Sequence, residues 1–431
     1  MKILSRSVYN KIEKGEKMRQ TKIVIRPCPI CLNKSGEILH NQRFALPDKS
    51  VLPSAYDIVC CKRCGFVYAD TSATQKEYDQ YYQSFSKYED SSIASGGGTT
   101  PWDAQRMDQT ASDLTQYVLD KKAAMVDIGC ANGGLLIALR KMGYVNLLGI
   151  DPSKVCVKHV NQQGVPARVG GLFSENLSDF KNSFDCVILC HVLEHVCDLR
   201  SAIENVIGLL KKGGILFVEV PDASRYLDYF IVPFHYFDHE HINHFDEHSL
   251  RNLIVQFGCE SLASVKSTIS VSKSNLYPTV YMAFRKQKGT KSDAIIKPDL
   301  NLCERVKKYI QRSKENSAIR TVYDYVKQAY LQFSRDTLDK YVLSQEGIVV
   351  WGVGSYSLGL LSNTVLNKCH IISFVDSDVK KQNTYIGNIP VKSPQILLKH
   401  NGPIVIASAL YAEAILAQIN EMQLENEVVI I

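Results

Sequence analysis

Two cysteine pairs near the start of the chain have the spacing of a metal site. Each pair has the form C-x-x-C, and the four residues are Cys28, Cys31, Cys61 and Cys64. Each C-x-x-C turn can place two thiolates on one tight knuckle, and two knuckles complete a tetrahedral zinc site. Four protein ligands leave no open position, so we expect one structural Zn²⁺. Cys60 competes with Cys61 but lacks the two-residue spacing to Cys64, and buried or redox cysteines are the alternative interpretation.

A glycine-rich segment at residues 126–134 has the composition of a turn that lies against a ligand. It reads VDIGCANGG, follows an apolar run and precedes a helical pattern. Small residues at such a turn let the backbone come close to a bound molecule. Further along, the apolar run LLGI ends at Asp151, whose carboxylate can accept both hydroxyls of a ribose. The spacing G-x-G-x-x-G is absent from this segment, which disfavours a dinucleotide cofactor.

A third apolar run, at residues 184–190, ends at Cys190 and continues into the sequence HVLEHV, which begins at His191. In a parallel sheet the carboxyl ends of the strands lie along one edge, where ligands bind. We therefore expect the strand ends at Gly129, Asp151 and Cys190 to form one pocket.

A dense group of histidines follows the last strand of this series. Five of the eleven histidines lie in it: His235, His239, His241, His244 and His248. A neutral imidazole can remove a moderately acidic proton near neutral pH, and an adjacent carboxylate can orient the ring or share the proton. Glu240 and His241 are the catalytic pair that we select. Two alternatives stay open: satisfied structural histidines, or a second metal site formed by His235, His239, His244 and His248.

The elements that must position these residues follow an α/β pattern. From about Met125 to Phe284, short apolar runs alternate with amphipathic stretches, which predicts a parallel sheet with helices on both faces. The expected divisions are a leader at 1–26, a zinc-binding domain at 27–90, the central α/β domain at 91–288, a helical connector at 289–345 and a smaller α/β domain at 346–431. A Ser/Gly cluster at 91–100 marks a flexible joint after the zinc-binding segment.

The central motifs together resemble class I S-adenosylmethionine-dependent methyltransferases. They are D-x-G-C-x-x-G-G, the acidic Asp151, F-D-x-V-x-x-x-x-V-L-E-H-V and L-L-K-K-G-G-x-L-F-V-E-V-P. The resemblance implies a Rossmann-like domain in which Gly129 and Gly133 let the methionine part of the cofactor approach. It also implies that Asp151 holds the ribose and that the loop after Cys190 closes over the cofactor. The full set of expected cofactor contacts is Asp127, Gly129, Asn132, Gly133, Asp151, Cys190 and His191.

The order of the parts from about Cys28 onward resembles the nucleotide-sugar C-methyltransferases of deoxysugar pathways. The sequences at 349–355, 374–376 and 380–391 look like that family's C-terminal domain. The resemblance implies that Glu240 and His241 are catalytic, together with a tyrosine after the zinc knuckles. Tyr82 is the nearest match to that tyrosine, and Tyr81 and Tyr78 are rivals. The chain departs from the family at Asp238, where the best-known members have tyrosine, and at 351–354, where they have G-Y-G-A.

The reaction that this resemblance implies also follows from carbonyl chemistry. A proton beside a ketone is acidic enough for a positioned base, and the resulting enolate carbon can take a methyl group. We expect His241 to remove the C-3 proton of a nucleoside-diphosphate-linked 4-keto deoxysugar, Glu240 to support the imidazole, and Tyr82 to position the sugar. Alternatives are O- or N-methylation of another small molecule, a zinc-ribbon RNA methyltransferase, or a non-catalytic scaffold.

A second glycine-rich turn, in the C-terminal part, is an incomplete nucleotide fingerprint. Gly352 and Gly354 are followed by Asp376, but Ser357 stands where a third glycine belongs. We interpret this turn as part of a domain that closes the sugar-nucleotide cleft, and an independent nucleotide site is the alternative.

Composition limits the remaining classes of function. The 431 residues are 45% hydrophobic and 22% charged, as in folded proteins of several domains, which disfavours disorder. A net charge of +6 without clustered Lys and Arg gives no reason to expect a nucleic-acid partner. We expect no membrane partner, because no apolar run reaches the ~18 residues of a membrane span. The first residues lack the apolar centre of a secretory signal, and thirteen cysteines, many in apolar runs, suit a reducing cytoplasm. The sequence does not fix the oligomeric state.

Overall fold

The α/β fold predicted from the sequence is confirmed in the computed structural model. The model describes residues 21–46, 50–85, 100–271, 275–287, 296–330, 336–408 and 411–431. Most of the leader, to residue 20, and the Ser/Gly joint at 91–99 lie outside these described residues. Within them, the strands form three sheets, and no helix combines the length and apolar character that crossing a membrane requires.

The strands and helices are numbered in chain order. The strands are β1 (Thr21–Ile23), β2 (Ser35–Arg43), β3 (Ala55–Cys61), β4 (Val67–Asp70), β5 (Met125–Ile128), β6 (Leu147–Asp151), β7 (Ala167–Val169), β8 (Phe184–Cys190), β9 (Leu210–Pro221), β10 (Asn243–His244), β11 (Cys259–Ser270), β12 (Leu276–Lys286), β13 (Ile348–Trp351), β14 (Ile371–Val375), β15 (Tyr385–Ile386), β16 (Ile389–Lys392), β17 (Ile404–Ile406) and β18 (Val428–Ile430). The α-helices are α1 (Gln75–Phe85), α2 (Pro101–Thr115), α3 (Gly134–Lys141), α4 (Lys154–Gln162), α5 (Leu199–Leu209), α6 (Glu247–Ile254), α7 (Asn301–Tyr330), α8 (Asp336–Ser344), α9 (Ser355–Asn363) and α10 (Ala412–Glu421).

The first sheet is antiparallel and has the order β1-β2-β3-β4-β10. Its last strand comes from the histidine-rich segment, because His244 pairs with Val67 of β4. The buried guanidinium of Arg26 strengthens this junction by donating to the carbonyls of Cys197 and Ile242. The N-terminal sheet therefore holds the histidine-rich segment from one side.

The central sheet has the order β11-β12-β9-β8-β5-β6-β7. Strands β9 to β7 in that order are parallel, and β11 and β12 form an antiparallel edge. All four residues of β5 are buried, as expected for a parallel strand covered on both faces. Strand β5 lies between β6 and β8, so the order of the strands along the chain runs outward from β5 toward both edges of the sheet. Such a switch point opens a crevice at the carboxyl ends of the strands.

The third sheet has the order β15-β16-β14-β13-β17-β18 and is parallel except for β15. Helices α7 and α8 precede it, within the stretch where the sequence predicts a helical connector. Helix α7 also contacts the first sheet, where Lys307 Nζ lies 3.1 Å from Glu37 Oε1. Buried residues of the first and central sheets belong to one continuous apolar core, so these two parts of the molecule pack as a unit.

Candidate active site

The four predicted zinc ligands converge on one point. Their Sγ atoms all lie within 4.8 Å of one another, with Cys28 3.6 Å from Cys64 and Cys31 3.4 Å from Cys61. Zinc–sulfur bonds of ~2.3 Å in a tetrahedron give sulfur–sulfur distances of about 3.8 Å, so this group has the dimensions of a zinc site. All four side chains are buried. The set is closed, which suits a structural ion.

The hydrogen bonds around the cysteine group also distinguish the ligand Cys61 from its neighbour Cys60. The amide of Arg63 and the side-chain nitrogen of Asn33 donate to Cys61 Sγ, at 3.4 and 3.7 Å. Such outer hydrogen bonds orient metal ligands. The Cys60 thiol instead donates to the carbonyls of Cys61 and Gly65 and lies outside the group, so the competitor considered from the sequence is not a ligand.

The glycine-rich turn after β5 has a backbone that side chains would obstruct. Gly129 and Gly133 have φ angles of +81° and +78°. A Cβ atom at Gly129 would lie 2.7 Å from Val192 Cγ2, and one at Gly133 would lie 2.7 Å from Val160 Cγ2. Glycine is therefore required at both positions, and the turn at Gly129 offers bare backbone to the crevice.

Asp151 joins this turn to the end of β6. Its Oδ2 accepts a hydrogen bond from the amide of Ala131 and its Oδ1 one from the amide of Ser153, each at 2.8 Å. Asp127 lies nearby, and its burial, together with the charge of Asp151, raises the pKa of Asp127 to about 7. Both residues line the crevice, where carboxyl oxygens can also accept hydrogen bonds from the hydroxyls of a ribose or from an amine.

A cleft of about 2470 Å³ opens at this edge of the central sheet. Five of the seven expected cofactor residues line it: Asp127, Gly129, Asp151, Cys190 and His191. Asn132 and Gly133 do not line it; Asn132 is buried and Gly133 caps α3. Helix α1, the histidine-rich segment and the turn after β13 form the other walls. Single small-molecule sites usually measure about 300–1,000 Å³, so this cleft has room for two ligands.

His191 is held between two carboxylates at the end of β8. Its Nε2 lies 2.9 Å from Glu219 Oε1, and its Nδ1 lies 3.2 Å from Glu194 Oε1. Burial and the charge of Arg106 lower the pKa of His191, but the hydrogen bonds to the two glutamates outweigh them and the net shift is upward. The residue has a φ of +55°, so the chain bends sharply here before the sequence VLEHV.

A turn at Asp238 presents the two predicted catalytic residues to the cleft. The Asp238 carboxylate accepts hydrogen bonds from the amides of Glu240 and His241, at 2.9 and 2.6 Å. This side chain closes the turn as aspartate commonly does. Glu240 and His241 both line the cleft. Asp238, the position at which the chain departs from the resembling family, therefore shapes the turn that carries the pair.

The surroundings of His241 include a carboxylate that is not among the predicted catalytic residues. Glu194, His195 and His241 each offer a ligand atom, and these atoms lie within 4.8 Å of one another. The rings of His195 and His241 meet edge to face, with centroids 4.7 Å apart. Burial raises the pKa of Glu194, but the hydrogen bond from His191 and the charges of the histidines outweigh it and lower that pKa to about 2. An ionised carboxylate is thus available to stabilise a protonated His241.

Glu240 has different neighbours. Its Oε1 accepts a hydrogen bond from Tyr81 at 3.1 Å and lies 3.7 Å from His239 Nε2. The Tyr82 hydroxyl lies 2.8 Å from His195 Nδ1, while Tyr78 is buried and donates to the His239 carbonyl at 3.5 Å. Tyr82, the selected tyrosine, and its rival Tyr81 therefore serve two adjacent parts of the same cluster, and both line the cleft.

The remaining histidines do not gather into the second metal site that was left open from the sequence. His244 is fully buried with its Nδ1 3.3 Å from the Tyr226 hydroxyl, and His248 contacts the carbonyl of Lys297 at 2.7 Å. Among the described residues, the groups that can hold an ion are the four cysteines and Glu194, His195 and His241. Neither includes His235, His239, His244 or His248, so that interpretation is wrong.

Glu194 and His195 belong to the VLEHV motif, from which no role was predicted for either side chain. A usable signal was present, because an acid and a histidine directly follow the end of a parallel strand, where sites form. Their closeness to His241 was not predictable, because it depends on how a segment that follows β9 folds back over the sheet edge.

The turn after β13 resembles the glycine-rich turn after β5, because in both an aspartate accepts a hydrogen bond from a backbone amide of the turn. Asp376 Oδ2 accepts from the amide of Val353 at 2.8 Å, as Asp151 does from Ala131. Asp376 is also paired with Lys381 Nζ at 3.3 Å. The Asp376 carboxylate therefore contacts a positive charge as well as a backbone amide, whereas Asp151 accepts from two backbone amides.

Comparisons with known proteins match the central part of the chain. Residues 103–264 match the family described as "Methyltransferase domain". The ubiquinone biosynthesis O-methyltransferases of Rhizobium etli (strain CIAT 652) and Methylobacterium nodulans are each 31% identical over 98 residues, which is 22% of this chain and 39% of theirs. The chain thus spans about two fifths of the length of these curated relatives.

Solved structures were compared as well. A Pyrococcus horikoshii protein is 18% identical, with a TM-score of 0.37, and covers 48% of this chain and 99% of its own. A S-adenosylmethionine-dependent methyltransferase of Methanosarcina mazei is also 18% identical, with a TM-score of 0.36, and covers 41% of this chain and 98% of its own.

Proposed function

We propose that this chain, which contains a class I S-adenosylmethionine-dependent methyltransferase domain, methylates carbon C-3 of a nucleoside-diphosphate-linked 4-keto deoxysugar. The observation that carries the proposal is the position of His241. Its ring lies beside Glu194 and His195 in the same cleft as the glycine-rich turn and Asp151. A base and a cofactor turn that share one cleft support methyl transfer to a substrate that must first lose a proton.

The residues at the sheet edge fit S-adenosylmethionine. A Cβ at Gly129 would collide with Val192, so the turn leaves room that only bare backbone provides. Asp151 and Asp127 supply the carboxyl groups that would hold the ribose and the amino group of the cofactor. When bound, S-adenosylmethionine supplies an electrophilic methyl group at this edge.

The chain's own residues would prepare the nucleophile. His241 removes the C-3 proton, which the neighbouring ketone makes acidic, and leaves an enolate on the sugar. Glu194, whose carboxylate lies within 4.8 Å of a ring nitrogen of His241, stabilises the imidazolium formed in this step, and Glu240 accepts a hydrogen bond from Tyr81 in the same cleft. Tyr82, held by His195 Nδ1, lies where it can position the sugar or its enolate oxygen. Holding the base and the sugar in a fixed orientation would supply much of the rate enhancement of methyl transfer.

The size of the cleft supports a large second ligand. A volume of about 2470 Å³ exceeds what one cofactor needs, and the turn at 352–356 of the C-terminal α/β part also lines the cleft. A nucleoside diphosphate attached to the sugar would fill such a space. Zinc would stay outside the reaction, since its four cysteine ligands form a closed and buried set.

O-methylation of a small molecule is a second candidate. The curated relatives of the central segment are O-methyltransferases, and a histidine base can deprotonate a hydroxyl as well as a carbon. The two candidates differ in whether the proton that is lost comes from carbon.

The test uses labelled S-adenosylmethionine with nucleotide-linked 4-keto deoxysugars, the matching 4-hydroxy sugars, and total RNA. We expect label in the keto sugars alone, on carbon by NMR. Without cofactor, we also expect wild-type protein in deuterium oxide to exchange the C-3 hydrogen and His241→Asn to exchange it at least about 100-fold more slowly. Methylated 4-hydroxy sugar or RNA, with no label in the keto sugars, would overturn the proposal.

A further inference from the structure

Four polar side chains form a continuous hydrogen-bonded line across the cleft. Ser355 Oγ lies 3.0 Å from His239 Nδ1, and His239 Nε2 lies 2.8 Å from the Tyr81 hydroxyl. Tyr81 in turn donates to Glu240 Oε1 at 3.1 Å. The line joins three parts of the fold: the first residue of α9, the histidine-rich segment and helix α1. All four side chains line the cleft.

The acceptor at one end determines the direction of every hydrogen bond in the line. The Tyr81 hydroxyl donates to the carboxyl oxygen Oε1 of Glu240. The same hydroxyl oxygen can then accept from His239 only if Nε2 carries a hydrogen. In a neutral ring Nδ1 is then unprotonated, so it accepts from the Ser355 hydroxyl. One tautomer of His239 satisfies all three contacts.

Ser355 is available for this contact because another residue caps the helix. The amide of Gly354, at the start of α9, donates to Ser357 Oγ at 2.9 Å. Ser357 also donates to the Gly354 carbonyl at 2.9 Å and is fully buried. The hydroxyl of Ser355 is the one that reaches His239, so the two serines of this turn have separate partners.

We propose that His239 is a positioning residue: Ser355 of the C-terminal α/β part fixes its Nε2-protonated tautomer, and this form holds Tyr81 as a donor to Glu240. The C-terminal part would then complete the catalytic end of the cleft as well as enclose it. For its kinetic consequence this inference rests on the proposed function. Most of its effect should pass through Tyr81, because the Tyr81 hydroxyl lies 2.8 Å from His239 Nε2 whereas Glu240 Oε1 lies 3.7 Å from that nitrogen. A merely structural role of Ser355 would not show this dependence on Tyr81.

A double-mutant cycle tests that pathway with full-length protein. We expect Ser355→Ala to lower kcat by about 5- to 20-fold in the wild-type background and by less than about 2-fold when Tyr81→Phe is already present. The KM for S-adenosylmethionine should stay the same, because the turn at Gly129 is not touched. Ser357→Ala is the matched control, and whatever its effect, the factor should be equal in both backgrounds. Equal factors for Ser355→Ala in both backgrounds would overturn the proposal.

Nitrogen-15 NMR of histidine-labelled protein gives a readout that needs no substrate. We expect the His239 ring, assigned with His239→Asn and His239→Gln, to carry hydrogen on Nε2 and none on Nδ1, and Ser355→Ala to produce a mixture of tautomers. A Nδ1-protonated or doubly protonated ring in the wild-type protein would overturn the proposal. If no keto sugar is methylated while this tautomer and its dependence on Ser355 are observed, the proposed function fails and the positioning role stands.

Discussion

The four-cysteine group and the histidine-rich segment at 235–248 both concentrate side chains that bind metals, but the fold distributes them differently. The cysteines come from two separate knuckles and meet at one buried point. The histidines come from one continuous segment and separate: His244 enters the interior, His248 contacts the Lys297 carbonyl, and His241 faces the cleft. Both regions contain several side chains that can bind a metal, but among the described residues the closed four-ligand group is formed by the cysteines.

The difference lies in what fixes the backbone. A C-x-x-C knuckle is a local turn, and the pairing of β2 with β3 sets Cys61 opposite Gly36 and close to the first knuckle. In the histidine-rich segment, the Asp238 turn and strand β10 direct successive side chains to different neighbours. Short-range spacing thus predicts which side chains meet when a local turn and a defined set of ligands fix their geometry. Where these are missing, a high density of histidines predicts that a site is present but not which histidines belong to it.

The largest effect should come from the cysteine group. We expect Cys61→Ser to lose the bound zinc and to unfold the first sheet, since structural zinc contributes about 10 kcal/mol or more to the folding of small zinc domains. Metal analysis and limited proteolysis of the purified chain measure both effects. Cys60→Ser is the matched control, because the Cys60 thiol contacts two backbone carbonyls and the Cys303 side chain and lies outside the group of four, and this variant should keep one equivalent of zinc.

The same metal analysis can contradict the comparison. If Cys60→Ser lost its zinc and Cys61→Ser kept it, the ligand would be Cys60 and the assignment of Cys61 would be wrong. A second equivalent in the wild-type protein that disappears in Glu194→Gln would place an ion on Glu194, His195 and His241. In that case His241 would be a ligand, and the assignment of the base would be wrong.

Next in size is the effect of His241, the proposed general base. We expect His241→Asn to lower the methyl-transfer rate by about 10²- to 10⁴-fold, the usual contribution of general-base catalysis, with cofactor binding and zinc content unchanged. His248→Asn, in the same segment, should keep wild-type activity because its ring contacts Lys297 and not the cleft. Single-turnover kinetics measure the rate. An undiminished rate in His241→Asn would remove this residue from the mechanism.

The sequence predicted those features that depend on local geometry and on strand order. The α/β fold, the cysteine group and a pocket that Gly129, Asp151 and Cys190 share all follow from patterns along the chain. In a parallel sheet, the strand order alone is enough to bring such strand ends together.

Contacts between distant segments were not predictable. His195 lies close to His241, and Ser355 reaches His239, through the packing of separate parts of the chain. Spacing carries no information on such contacts. The neighbours of His241 are an example. Glu240 was expected to support its imidazole, but the Glu240 carboxylate contacts Tyr81, and the carboxylate beside His241 is that of Glu194.

A smaller effect concerns His244, the buried histidine of the segment. Burial and the charge of His241 lower the pKa of His244 to about 3. Below pH ~6.5 the unfolded chain binds a proton there that the folded chain does not, so the free energy of unfolding falls as the pH drops toward 3, by up to about 1.4 kcal/mol per pH unit. We expect His244→Gln to remove this contribution, whatever its effect at neutral pH. Urea unfolding between pH 7 and 4 measures the slope, and an unchanged slope would show that His244 is solvated.

The smallest effect should come from the turn that presents Glu240 and His241, the proposed catalytic pair. Asp238→Ala removes the acceptor for the amides of Glu240 and His241, and we expect a loss of about 1–2 kcal/mol in stability and a several-fold lower kcat. Asp238→Asn keeps an oxygen at the same place and should lie within about 2-fold of wild type. Both variants should retain zinc, because Asp238 closes this turn and is not part of the four-cysteine group. Equal losses in the two variants would mean that the charge of Asp238 matters and that its role as a turn acceptor does not.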